Sequence, residues 1–115
     1  MRPTTALVLA TGFLWPPSAF SQGHKYWETG NSLYQQCTAG LESRTSFLCT
    51  GYMIAISDAL NSEGLICSPQ DSSVGQAIDV TVNYLRDHPE QRHLTAYSLA
   101  KAALIRAFPC KEQAH

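Results

Sequence analysis

Ser43 to Leu60, SRTSFLCTGYMIAISDAL, decides the fold of this chain. Ser43 is a residue type that caps helix N-termini, because its side-chain oxygen can accept a hydrogen bond from one of the first, otherwise unsatisfied, backbone N–H groups. Leu48, Tyr52, Ala55 and Ala59 then recur at spacings of four, three and four, which places them in one apolar row on a helix. Met53, Ile54, Ile56 and Leu60 extend that row around the circumference. A helix apolar on most of its faces belongs in the middle of a helical domain. Gly51 costs about 1 kcal/mol relative to Ala inside a helix, and a close helix crossing at that point would compensate. Asn61 and Gly64 tolerate turn geometry and should stop the helix.

Outward from this centre, the spacing predicts a short first helix from Asn31, as N-cap, to Ala39, with Gly40 suited to a left-handed closing position. The stretch Leu65 to Ser73 reads as a loop, and Ser72 or Ser73 can cap a third helix over Val74 to Asp87. Val74, Ile78, Val82 and Leu85 form its apolar face, a helical period that outweighs the β-branched content of Asp79 to Val82. Pro89 favours a helix's first turn while restricting His88, so a fourth helix is expected from Pro89 to about Ala107. Tyr97, Ala100, Leu104 and Phe108 would form its buried stripe. The fold class is therefore all-α, a small bundle of about four helices with short antiparallel connections.

The chain begins with a segment that has the layout of a secretory signal peptide. Arg2 supplies a positive start, and Ala6 to Trp15 is an apolar run of about ten residues, far short of the roughly 20 that span a bilayer. Pro16 and Pro17 break it, and Ala19-Phe20-Ser21 offers small residues where a signal peptidase reads. Residues 1–21 are thus expected to be removed, leaving 22–115 as one helical domain with a flexible lead-in, Gln22 to Thr29. No membrane span is expected after cleavage, and the protein should be periplasmic or secreted.

Cys37, Cys49, Cys67 and Cys110 all fall in this mature part. An even number of cysteines behind an export signal reads as a disulfide framework, and four cysteines permit three pairings. Cys37 with Cys49 and Cys67 with Cys110 is the favoured one, because the first pair would face across a helical hairpin and the second would tie a loop to the chain end. Each bridge could contribute about 3 to 4 kcal/mol, a large share of a small domain's stability. No two cysteines have C-x-x-C spacing, so the pattern does not support a zinc site, and no metal or other cofactor is expected.

Removing Arg2 from the eight Lys and Arg leaves seven against nine Asp and Glu, a formal charge of −2. No basic cluster is present to displace counterions from a phosphate backbone, which argues against nucleic acid as a partner. Catalytic signals are thin. His88 and His93 lie five apart across a helix start without the i, i+4 pairing of a metal-binding helix. Asp58 and Asp79 sit in or beside apolar stretches, where tyrosine or arginine donors would satisfy them. No Ser occupies a G-x-S-x-G turn, and Gly75 begins no phosphate-binding glycine pattern.

The run Cys49-Thr50-Gly51-Tyr52-Met53, continuing to Asp58-Ala59-Leu60, resembles the C-x-G-Y segment of the Rap/Tai-like immunity proteins. Upstream, Gly30-Asn31, Leu33-Tyr34 and Cys37 match. Downstream, so do Cys67 with Pro69, Gly75-Gln76 with Asp79-Val80, Tyr84-Leu85 with His88-Pro89-Glu90, and Ala107-Phe108-Pro109-Cys110. Ala55 departs from the pattern, standing where the family often has a second Gly. The resemblance implies an exported, helical, disulfide-bonded and often dimeric protein that binds a peptidoglycan amidase effector of type VI secretion and occludes its active site. With the catalytic signals as thin as they are, no enzymatic activity is expected. The expected recognition elements are the exposed connections between helices: Asp87, His88, Glu90 and Arg92 form one, and Pro69 to Ser73 another. The alternative on the residues alone is a periplasmic acid-stress chaperone, or another helical binding protein without an effector.

Overall fold

A computed structural model describes residues 26–40 and 43–111, together with positions 3, 4 and 12. The rest of the expected signal segment, and the lead-in residues 22–25, lie outside the described residues. Four α-helices follow one another: α1 Gly30–Thr38, α2 Arg44–Ser62, α3 Val74–Asp87 and α4 Ala96–Ala107. A 3₁₀ turn, Pro89–Gln91, sits between α3 and α4. Among the described residues there is no named strand, and the domain is all-α.

Each helix begins on a side-chain cap. Thr29, and not Asn31, caps α1 in a reciprocal box with Ser32, in which the Ser32 N–H donates to Thr29 Oγ1 at 3.2 Å and the Thr29 N–H to Ser32 Oγ at 3.0 Å. Ser43 caps α2, Ser73 forms the same kind of box with Gln76, and Thr95 caps α4. The end of α2 is closed by Gly64 at φ 71°, the one described residue with a positive φ. The Leu65 N–H reaches Leu60 O at 2.9 Å and the Gly64 N–H reaches Asn61 O at 3.1 Å, the paired bonds of a Schellman closure. At the end of α1, Ala39 takes an extended conformation and Gly40 is not left-handed, contrary to the expectation for it.

Two further expectations are corrected. The fourth helix starts at Ala96, seven residues later than Pro89 suggests, because carbonyls that would propagate it are taken by α1: Arg92 O accepts from the Asn31 N–H at 2.8 Å and Leu94 O from the Gly30 N–H at 2.9 Å. The lead-in is fixed to the fold at its C-terminal end, since the Ala96 N–H donates to Glu28 O at 3.0 Å and Thr29 forms an isolated antiparallel bridge with Thr95. Gly30 makes this close approach possible. A Cβ there would lie 2.8 Å from Arg92 O and 2.4 Å from a Leu99 methyl.

The core is formed by Leu33, Met53, Leu60, Ile66, Leu85 and Leu104, with Ala96 and Ala100 allowing α4 to come close. Thr81 is the buried polar residue of this core, and its hydroxyl has no hydrogen-bond partner. The disulfides are Cys37–Cys49, joining α1 to α2, and Cys67–Cys110, joining the α2–α3 connection to the residues after α4. Beside the second bridge, the Cys67 N–H donates to Phe108 O at 2.9 Å.

The packing of α2 differs from the expected row. Cys49, Met53, Ile56 and Leu60 face inward, while Leu48, Ala55 and Ala59 are exposed and Tyr52 is half-buried. Gly51 meets no helix of its own chain: a Cβ built on it would have nothing within 4 Å. On α4, Tyr97 is likewise exposed, its place in the buried stripe taken by Leu99 and Ala103. Asp58 and Asp79 are both exposed and need no buried donor.

Candidate partner-binding surface

The turn from α3 to α4 brings Asp87, His88, Glu90 and Arg92 together in sequence but gives them different work. His88 ends α3; its Nδ1–H donates to Tyr84 O at 2.8 Å, and its ring stacks on that of Tyr84 at a centroid separation of 4.1 Å. The Tyr84 hydroxyl in turn donates to Gln91 Oε1 at 3.1 Å. Arg92 folds back beneath the turn. Its Nε–H donates to Leu85 O at 2.6 Å, satisfying a carbonyl in the last turn of α3, and its guanidinium lies 4.1 Å from the centroid of the Tyr34 ring on α1. His88 and Arg92 therefore shape the turn and lock it to α1 and α3.

Asp87 and Glu90 differ from them. Both are exposed, and neither is paired with a cation among the described residues, so the turn presents two carboxylates on a backbone that its neighbours hold rigid. A cavity of about 310 Å³ opens beside it, lined by Val80, Tyr84, Asp87, His88, Arg106 and residues of the last turns of α4. Its lining is mixed: the Asp87 carboxylate, the His88 imidazole and the Arg106 guanidinium stand beside the apolar side chains of Val80, Ala103 and Ala107.

The second connection, Pro69 to Ser73, is braced from within. The Ser72 hydroxyl and N–H both donate to Pro69 O, at 2.6 and 3.0 Å, and the Ser68 N–H is held by Asn61 Oδ1 at 3.1 Å. A smaller cavity of about 150 Å³ lies behind this loop, lined largely by Ser57, Asp58, Asn61, Ser68 and Ser72. The two connections thus form separate sites. Among the described residues no three His, Cys, Asp or Glu side chains converge to hold a metal ion, and no helix is long and apolar enough to cross a membrane.

Two surface features escape sequence reasoning. One is the outer face of α2, where Phe47 is 73 % and Leu48 59 % exposed beside Gly51, Ile54 and Ala55. Its signal is present in the sequence as an α2 apolar on more sides than one chain can cover, together with a helical glycine. The other is an aromatic cavity where Tyr26 and Trp27 meet Tyr52 of α2 and Tyr97 of α4. The aromatic pair before Thr29 is its signal, hidden because those residues read as lead-in.

No curated protein matches the chain. Residues 29–110 match the family described as Rap1a immunity proteins. That match begins at the cap of α1, takes in all four helices and both disulfides, and ends at Cys110, and on it the chain belongs to the Rap1a immunity protein family.

Proposed function

We propose that this protein is exported through its N-terminal segment, Met1 to Ser21, and acts in the periplasm as an immunity protein that binds a peptidoglycan amidase delivered by type VI secretion and blocks its active site. The observation that carries this reading is the family match over the whole four-helix, two-disulfide domain. The geometry supports it in a second way: Asp87 and Glu90 are presented to solvent from a turn already braced by His88, Gln91 and Arg92, so little conformational entropy remains to be lost on binding. In this reading the protein inhibits by occlusion and performs no chemistry of its own. The acidic turn sets specificity and speeds encounter with a basic rim on the amidase.

A second copy of the chain is the natural cover for the outer face of α2. Phe47, Leu48, Ile54 and Ala55 would be buried, and Gly51 would let two α2 helices cross closely, which restores the compensation that a mid-helix glycine needs and that its own chain does not provide. The inhibitory unit would then be a homodimer with two acidic turns.

The test is affinity for a cognate amidase after charge reversal of Asp87→Lys and Glu90→Lys together. Binding should weaken by about tenfold or more, mostly through slower association, with the loss shrinking at high salt. Unchanged affinity would move the recognition site to another element, with Pro69 to Ser73 the next to substitute.

A further inference from the structure

The cavity formed by Tyr26, Trp27, Glu28, Tyr52 and Tyr97 has a volume of about 210 Å³ and is built from four aromatic rings around one carboxylate. Glu28 is half-buried. Its oxygens accept from neutral donors, the Ser32 hydroxyl and Gln36 Nε2, the latter at 3.1 and 3.2 Å. No cation is paired with it among the described residues. The carboxylate charge acts inside the cluster: the Tyr52 hydroxyl is held above its ordinary range, first by burial, then by Glu28 and then by Tyr97.

A half-buried carboxylate held only by neutral donors keeps its charge uncompensated, and the face of an aromatic ring carries negative potential of its own. Both terms become favourable when a cation enters. The Tyr97 ring already has the Lys101 ammonium 5.8 Å from its centroid, although Lys101 does not line the cavity. A guanidinium fits the arrangement better than a compact ammonium, because it can stack on a ring while its fork meets a carboxylate. The rings themselves point to a macromolecular source for that group. Tyr26 is 58 % and Trp27 86 % exposed, an unusual expenditure of aromatic surface on water, and covering such rings is what anchors protein interfaces.

We infer that this aromatic–carboxylate cavity is a receptor site for an arginine side chain presented by a protein partner. It takes from the preceding section only that the chain binds another protein, and it places an anchor at the junction of the lead-in, α2 and α4, apart from the acidic turn. Glu28 would pair with the guanidinium and Tyr97, Tyr52 and Trp27 would enclose it.

The experiment needs no effector. The oxidised mature protein, residues 22–115, is titrated with N-acetyl-arginine methylamide, and with the neutral citrulline analogue of the same shape, while the indole N–H resonance of Trp27, the single tryptophan of that form, is followed by NMR. The arginine probe should give a saturable shift and the citrulline probe none. Glu28→Gln, which keeps an oxygen for Gln36 to donate to, should weaken arginine binding by about tenfold. Tyr97→Phe should retain it and Tyr97→Leu should lose it. A citrulline response equal to that of arginine, no saturable shift with arginine, or unchanged binding in Glu28→Gln would overturn the inference. The arginine-versus-citrulline comparison is made on the unaltered chain, so it stands whether or not a variant folds. A negative result there leaves inhibition of an amidase untouched, and a failure to inhibit any amidase leaves the cation site untouched.

Discussion

Along α2, Cys49, Met53, Ile56 and Leu60 are covered by the other helices, whereas Phe47, Leu48, Ile54 and Ala55, of the same apolar character, face solvent. One helix thus carries two faces of similar composition and opposite environment. The inner face is what folds the domain, and it is pinned to α1 by Cys49. The outer face contributes little within one chain, and its apolar surface makes sense as a contact with another. Hydrophobic burial is roughly proportional to the area removed from water whoever removes it, so the residue types that fold the domain on one side would serve association on the other in the proposed dimer.

The largest expected effects sharpen this contrast through the disulfides. Cys67–Cys110 spans a sequence separation of 43 and Cys37–Cys49 one of 12. Loop-closure entropy then assigns about 4 kcal/mol to the first and about 3 kcal/mol to the second, so replacing Cys67 and Cys110 with Ala should lower denaturant stability more than replacing Cys37 and Cys49. Equal losses would mean that the α1–α2 bridge stabilises the inner face by more than chain entropy. Next in size, Met53→Ala should cost about 3 kcal/mol, because Met53 is fully buried and leaves a cavity. By contrast, Leu48→Ala should change the stability of a single chain by less than about 0.5 kcal/mol while weakening self-association in sedimentation equilibrium. A large monomer loss at Leu48 would break the distinction between the faces.

Thr81→Val should raise stability by about 1 kcal/mol, since the buried hydroxyl has no partner and a methyl of similar shape needs none. Chemical denaturation reads this directly, and a loss would reveal a hydrogen bond made by that hydroxyl. The smallest effect concerns Tyr52, at the seam between the two faces of α2. The folded protein holds its proton to higher pH than the unfolded chain, whose tyrosines titrate near 10.0, because burial and the Glu28 charge disfavour the phenolate. The stabilisation is therefore complete below that value and is lost as pH rises through the higher folded one. Melting temperature should fall less steeply over this alkaline range in Tyr52→Phe than in the unaltered chain.

How far the sequence could be read follows from the same contrast. The four helices, their serine caps at Ser43 and Ser73, and the pairing of Cys37 with Cys49 and Cys67 with Cys110 were legible, because capping and helical periodicity are local and the bridges follow from the order of the helices. The start of α4 was not. Pro89 carries a true helix-start signal, but α1 takes the carbonyls of Arg92 and Leu94, a long-range contact with no local signature. Leu48 and Ala55 read as core for a related reason: periodicity reports that a face is apolar and is silent on which chain covers it. At the site, the acidic turn was visible as a polar connection. That Arg92 is spent on Leu85 O and the Tyr34 ring, leaving Asp87 and Glu90 as the outward groups, required the fold. The aromatic cavity is the clearest case of the limit, since Tyr26, Tyr52 and Tyr97 meet across three separate parts of the chain.

The central claim, that this immunity-family domain inhibits an amidase by covering its active site, is tested most directly by titrating the oxidised protein into a peptidoglycan amidase secreted by the producing cell, with release of cleaved muropeptides as the readout. Occlusion predicts a linear fall in activity that reaches its floor at one inhibitor chain per enzyme, and a curved titration that needs more protein to reach the same floor when Asp87→Lys/Glu90→Lys is used. Full amidase activity in the presence of excess oxidised protein, with a folded domain confirmed in the same sample, would contradict it.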